Sequence, residues 1–119
     1  MSKPIVAVTM GDPAGVGPEI TVKTFAETRS YEHSLPFVVG TISSLEQARE
    51  ETGVALELAV IKDVSELDPT TGALQVLEPV TLDPGSYETG KVSAVCGHAA
   101  VTYFETAISL ALEGDIRAV

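Results

Sequence analysis

The sequence predicts an α/β fold built on a parallel sheet. Three observations lead there: short β-branched apolar runs alternate with stretches of helical spacing, the first run has the composition of a strand covered on both faces, and a glycine-rich turn joins that run to a helix. One domain, or part of one, accounts for the pattern, because no internal repeat or compositional break divides the chain.

Ile5 to Thr9 (Ile, Val, Ala, Val, Thr) is a continuous run without polar alternation, as a buried parallel strand requires. Pro18 then fixes φ and Glu19 supplies a negative charge where a helix begins, and Val22, Phe25 and Ala26 recur at helical spacing, which predicts a helix from about 18 to 28. A second apolar run, Leu35 to Gly40, leads into Thr41-Ile42-Ser43-Ser44. A hydroxyl from that group is expected to cap a helix that Leu45 and Ala48 continue to Gly53. Leu56 to Ile61 reads as a third strand, with Glu57 the one charge inside it.

From Asp63 to Gly90 the periodicity fades among Pro69, Gly72, Pro79, Pro84 and Gly85, so this stretch is mostly connection, with Leu74 to Leu77 as a short strand. Val92 to Glu113 is the longest helix. Apolar residues at 92, 95, 96, 99, 103, 107 and 110 form one face, while Ala100, Phe104, Ile108 and Leu112 form a second, which predicts burial on two sides. His98, Thr102, Glu105 and Ser109 make the remaining stripe and are expected to meet water or a subunit interface. Glu113-Gly114-Asp115 stops the helix, and Ile116 to Val119 starts a strand in which the chain finishes, as expected of an N-terminal piece of a longer α/β protein.

Composition excludes several functions. The 119 residues carry 17 acidic side chains against 7 Lys plus Arg, a formal charge of −10, and the cations are scattered. No basic stripe could neutralise successive phosphates, so no nucleic-acid partner is expected. The single cysteine, Cys96, has no partner for an internal disulfide and fits a reducing compartment. Its helix neighbours Val92, Ala99 and Ala100 mark it as a packed thiol rather than a nucleophile. The N-terminus lacks a signal-peptide core, and charged or polar residues interrupt every apolar stretch short of the roughly 20 residues that span a bilayer. The expectation is a cytoplasmic protein that enters no membrane.

The sharpest chemical feature is Thr9-Met10-Gly11-Asp12-Pro13-Ala14-Gly15-Val16-Gly17-Pro18-Glu19. Its glycines permit close backbone approach, and the following helix start offers partial positive charge. Neither familiar phosphate fingerprint fits, since the Gly-x-Gly-x-x-Gly order is missing and no Lys-Ser/Thr follows the last glycine. Pro18 removes an amide, and Asp12 and Glu19 repel anions. Two readings stand side by side: a tight connection whose glycines solve a backbone problem, and a cleft wall that positions polar groups. Asp12 is likewise either a turn former or a functional carboxylate. His98 and His33 are expected at the surface, with no second histidine at metal-ligand spacing.

Thr-Met-Gly-Asp-Pro-Ala-Gly-Val-Gly-Pro-Glu-Ile at 9 to 20 resembles the opening of the 4-hydroxythreonine-4-phosphate dehydrogenase family. Gly90-Lys91-Val92-Ser93, then Gly97-x-Ala99-Ala100 and Ala107 to Gly114 before Asp115 to Val119, resemble that family's middle segment in the same order. The resemblance implies a fold like that of the isocitrate and isopropylmalate dehydrogenases, two-lobed and homodimeric, of which this chain is an incomplete N-terminal part. It also implies NAD- or NADP-dependent oxidation and decarboxylation of 4-hydroxythreonine 4-phosphate on the route to pyridoxal phosphate, assisted by a divalent metal. The alternatives are a paralogue acting on threonate or erythronate 4-phosphate, and a non-catalytic α/β binding fragment.

By this resemblance the metal-binding and catalytic residues lie beyond Val119, no cofactor contact is assigned, and Gly11, Asp12, Gly15, Gly17 and Glu19 are the candidates for lining the cleft. A −10 segment does not attract a phosphorylated acid, so the positive groups are expected from elsewhere in the protein or its dimer mate. The isolated segment is expected to be inactive and of marginal solubility.

Overall fold

Five β-branched or small residues, Ile5–Thr9, form β1 in the computed structural model, which describes residues 3–119. The chain continues through α1 (Gly17–Phe25), β2 (Leu35–Val39), α2 (Ile42–Thr52), β3 (Leu58–Ile61), β4 (Leu74–Leu77) and α3 (Ala94–Leu112). All four strands are parallel, in the order β1-β2-β4-β3, with Ile5 opposite Leu35, Val38 opposite Val76 and Val60 opposite Val76.

The two β-α-β crossovers that carry the chain from β1 to β3 run in one direction across the sheet, so right-handed connection puts α1 and α2 on the same face, where they pack on each other. The chain then returns over the opposite face as α3, which lies on β1 and β2. Ala7, Phe37, Val38, Val39, Leu45, Leu74, Val76, Ala99, Tyr103 and Ala107 are fully buried between these layers. Fully burying each of the Val, Leu and Phe side chains among them stabilises by roughly 1.5–3 kcal/mol, so the central strands anchor the fold.

The predicted elements hold with shifts. The first helix ends at Phe25 instead of 28: Ala26 caps it and Thr28–Tyr31 form a separate 3₁₀ turn. The third strand starts at Leu58 rather than 56. The last helix starts at Ala94, because the Ser93 side chain accepts the Cys96 amide (3.2 Å) and marks the N-cap.

Three expectations need correction. Thr41 occupies the N-cap position of α2, yet no hydroxyl caps that helix. The Ile42 amide donates to Glu78 Oε2 (2.6 Å), and the Thr41 hydroxyl donates to the Val80 carbonyl (2.9 Å) while meeting the buried Tyr103 hydroxyl. The helix expected to be buried on two sides is buried on one. Cys96, Ala99, Tyr103 and Ala107 face the sheet, whereas Val101, Phe104 and Leu112 are 55%, 54% and 83% exposed, because none of the described residues packs on the outer face. At 19 residues α3 has the length and apolarity of a membrane span, contrary to the expectation that no stretch comes near it, but its inner face is covered by the sheet.

The chain end follows the strand direction without forming a full strand. Ala118 makes a single parallel bridge to Val6 on the free edge of β1, with Arg117 N–H donating to Ile5 (2.8 Å) and Ala7 N–H to Ala118 (3.0 Å).

Candidate functional site

Parallel open sheets gather their ligands at the carboxyl ends of the strands, where loops rather than ladders face outward. Here that edge collects the glycine turn after β1, the segment Gly40–Ser44 after β2 and the long connection after β4. The turn leaves the sheet where Met10 N–H donates to Val39 (3.1 Å), and Gly11 takes φ +79°, a left-handed conformation costly to any residue with a Cβ. Asp12 Oδ1 accepts the Ala14 amide (2.8 Å) and its carbonyl accepts the Gly15 amide (3.0 Å), closing a tight turn. Gly17 then passes so near the Met10 carbonyl that a Cβ would lie 1.9 Å from the oxygen. Met10 itself is 2% exposed.

The turn is bound to the rest of the edge by contacts that no local pattern announces. Gly90 N–H donates to the Ala14 carbonyl (2.8 Å), so the two sequence motifs that carry the resemblance touch each other. The Ser44 and Tyr87 hydroxyls meet at 2.6 Å, tying α2 to the same connection. Glu78, Thr41 and Tyr103 hold the neighbouring loops as described above. Most polar groups on this edge are therefore engaged in holding backbone.

Of the sequence-predicted site residues, Gly15 and Glu19 line a shallow recess with Pro13, Pro18, Ser44, Gln47, Ala48, Glu51 and Thr89. That recess holds about 20 Å³, room for about one water molecule. Gly11 and Gly17 shape the backbone, and Asp12 spends one carboxylate oxygen on the turn itself. A larger concavity, about 610 Å³, lies elsewhere: Phe25, Ala26, Tyr31, Leu56 and Gly72 line it at the opposite, amino-terminal end of the strands. Phe25 and Tyr31 pack there with ring centroids 5.9 Å apart. The buried Tyr31 hydroxyl has no protein partner among the described residues, and burial raises its pKa.

The groups whose titration the fold shifts lie outside the turn. Burial pushes the Tyr103 hydroxyl up to about 12, against the opposing effect of its hydrogen bond with Thr41. Asp63 is held below the usual carboxylate range first by the Ser65 amide, and Asp68 first by the Thr70 hydroxyl. Cys96 is fully buried and free, and His33 and His98 are exposed, as expected. Among the described residues no three His, Cys, Asp or Glu side chains stand together as a metal would require. The edge thus supplies a wall tied by hydrogen bonds, with no three-residue metal-ligand cluster among the described residues.

No protein-family model matches the chain. It is 35% identical, over 99% of its length, to a Clostridium botulinum protein that carries the provisional name D-threonate 4-phosphate dehydrogenase, and 38% identical over 98% to one of the same provisional name from Oceanobacillus iheyensis. Among solved structures, a 4-hydroxythreonine-4-phosphate dehydrogenase from Burkholderia phymatum superposes with a TM-score of 0.90 at 34% identity over 98% of the chain. The chain spans only 35% of each of these relatives. In sequence and in fold, then, these 119 residues are homologous to about a third of a 4-hydroxythreonine-4-phosphate dehydrogenase, a share consistent with its N-terminal portion.

Proposed function

We propose that this chain forms part of a cytoplasmic dehydrogenase of the threonate or 4-hydroxythreonine 4-phosphate kind, completed by polypeptide that its relatives carry and these residues do not match. The observation that carries the reading is the alignment of 99% of the chain with a protein named for that activity, including the glycine turn whose geometry leaves Gly17 no alternative. In this reading the substrate's secondary alcohol loses a hydride to NAD or NADP and its proton to solvent or a base. For 4-hydroxythreonine 4-phosphate, decarboxylation of the resulting keto acid follows, on the route to pyridoxal phosphate.

The chain's own part is to shape and stiffen. Gly11 and Gly17 let the backbone double back at the carboxyl end of β1, the Asp12 carboxylate fixes the bend, and Gly90 fastens it to the connection before α3. Such rigidity limits the misplacement that weakens catalysis when reacting groups shift by about 1 Å. The divalent metal implied by the resemblance does not fit the described residues, among which no three His, Cys, Asp or Glu side chains stand together. Nor does the start of α1 favour a dinucleotide phosphate, because Pro18 removes an amide and the Glu19 carboxylate repels an anion there. In this reading substrate phosphate, cofactor and metal are held by other parts of the enzyme, which we take to be a homodimer.

The test is to purify the native gene product and follow reduction of NAD and NADP with 4-hydroxythreonine 4-phosphate, D-threonate 4-phosphate and D-erythronate 4-phosphate in the presence of divalent metal. Turnover of one of them is expected. A folded, metal-loaded product inactive on all three would reject the reading.

A further inference from the structure

We propose that the cavity at the amino-terminal end of the strands is a binding site for a small aromatic amine, a flat apolar body carrying one positive charge. The cavity opens between the end of α1, the 3₁₀ turn that follows it, the segment joining α2 to β3 and the turn before β4, so four separate stretches of chain build it. Its volume of about 610 Å³ falls among pockets that enclose small ligands, roughly 300–1,000 Å³. The recess beside the glycine turn, at about 20 Å³, admits no such molecule.

The lining selects the chemistry. Phe25, Leu56 and the Tyr31 ring give an apolar wall, with the Phe25 and Tyr31 centroids 5.9 Å apart and their planes tilted by 59°. The faces of aromatic rings attract cations. Glu57 supplies the opposite charge: it lines the same cavity, is exposed, and belongs to none of the ion pairs among the described residues. The guanidinium groups of the same elements are engaged elsewhere, Arg29 with Glu27 and Arg49 with the Leu56 carbonyl (3.1 Å), and neither lines the cavity. On a chain of net charge −10 an anion of the same shape is repelled. Tyr31 adds a second mark, because its buried hydroxyl lacks a protein partner among the described residues, a condition rare in folded proteins. The cavity lies at the opposite end of the strands from the glycine turn, and the inference is independent of the dehydrogenase reading.

The test is calorimetric titration of the whole native gene product with tryptamine and with indole-3-propionate, which share a ring and differ in charge. Tryptamine should saturate one site per chain with a Kd of about 1 mM or tighter, and the acid should bind at least about tenfold more weakly, the carboxylate and the ring faces together supplying that factor. Glu57→Gln should remove most of the preference between the two compounds. Gly72→Leu should abolish binding of both by filling the cavity, since a Cβ added at Gly72 meets nothing within 4 Å and its φ lies outside the left-handed region. Should Gly72→Leu misfold, Glu57→Gln, at an exposed position, carries the test alone. No saturable binding of tryptamine, equal or tighter binding of the acid, a preference that survives Glu57→Gln, or undiminished binding by folded Gly72→Leu would each overturn the proposal. Because titration does not depend on turnover, a product inactive as a dehydrogenase leaves the outcome readable.

Discussion

Gly17 and Met10 are the tightest pair in the glycine turn: a Cβ on the first would lie 1.9 Å from the carbonyl oxygen of the second. That oxygen belongs to backbone fixed by the Met10 amide's bond to Val39, so it has little room to yield. Gly15, a few residues earlier, would place its Cβ an ordinary 3.4 Å from the Asp12 carbonyl.

Gly17→Ala should therefore cost about 3 kcal/mol or more, or prevent folding, while Gly15→Ala should cost less than about 1 kcal/mol. Urea denaturation midpoints of the two variants check the contrast.

Asp12 distinguishes a turn former from a functional carboxylate. Its Oδ1 accepts the Ala14 amide, a task an amide oxygen performs nearly as well. Asp12→Asn should leave stability within about 0.5 kcal/mol of the parent and Asp12→Ala should lose about 1 kcal/mol. If Asp12→Asn abolishes turnover of the whole product without affecting stability, the carboxylate has a second role in the site.

The start of α2 depends on a residue that follows the neighbouring strand β4. Glu78→Ala removes the acceptor of the Ile42 amide and should cost about 1 kcal/mol. Thr41→Val leaves the Val80 carbonyl and the Tyr103 hydroxyl without their shared partner inside the fold and should cost about 2 kcal/mol. Thermal unfolding of both variants tests the order.

Tyr103 predicts an alkaline limit. Its native pKa of about 12 stands above the ordinary 10.0, so the folded state keeps the proton that the unfolded state releases. The resulting stability is complete below pH 10 and drains away as pH rises toward 12, by up to about 3 kcal/mol. Tyr103→Phe should be less stable at pH 8, through the lost bond to Thr41, yet show a flatter decline between pH 10 and 12 in denaturant titrations.

Calorimetric titration of the 119-residue chain with Zn²⁺ or Mg²⁺, and with NAD, should show no tight site, since the described residues offer neither a three-ligand cluster nor a phosphate cradle. A submicromolar metal site in this chain alone would contradict the placement of the ligands elsewhere.

Local sequence determined the inventory of this fold. The β-branched runs gave the strands, helical spacing and the Pro18-Glu19 start gave α1, and the glycines at 11, 15 and 17 announced a tight bend, because each of these depends on neighbours within a few residues. Only the tertiary structure decided that β4 inserts between β2 and β3, that Gly90 clasps Ala14, and that Thr41 turns from α2 toward Val80 and Tyr103. The same holds for α3. Its spacing shows two apolar faces, but whether Phe104 and Leu112 meet protein or water is set by segments far away in the chain, and periodicity records an apolar face without recording what lies against it.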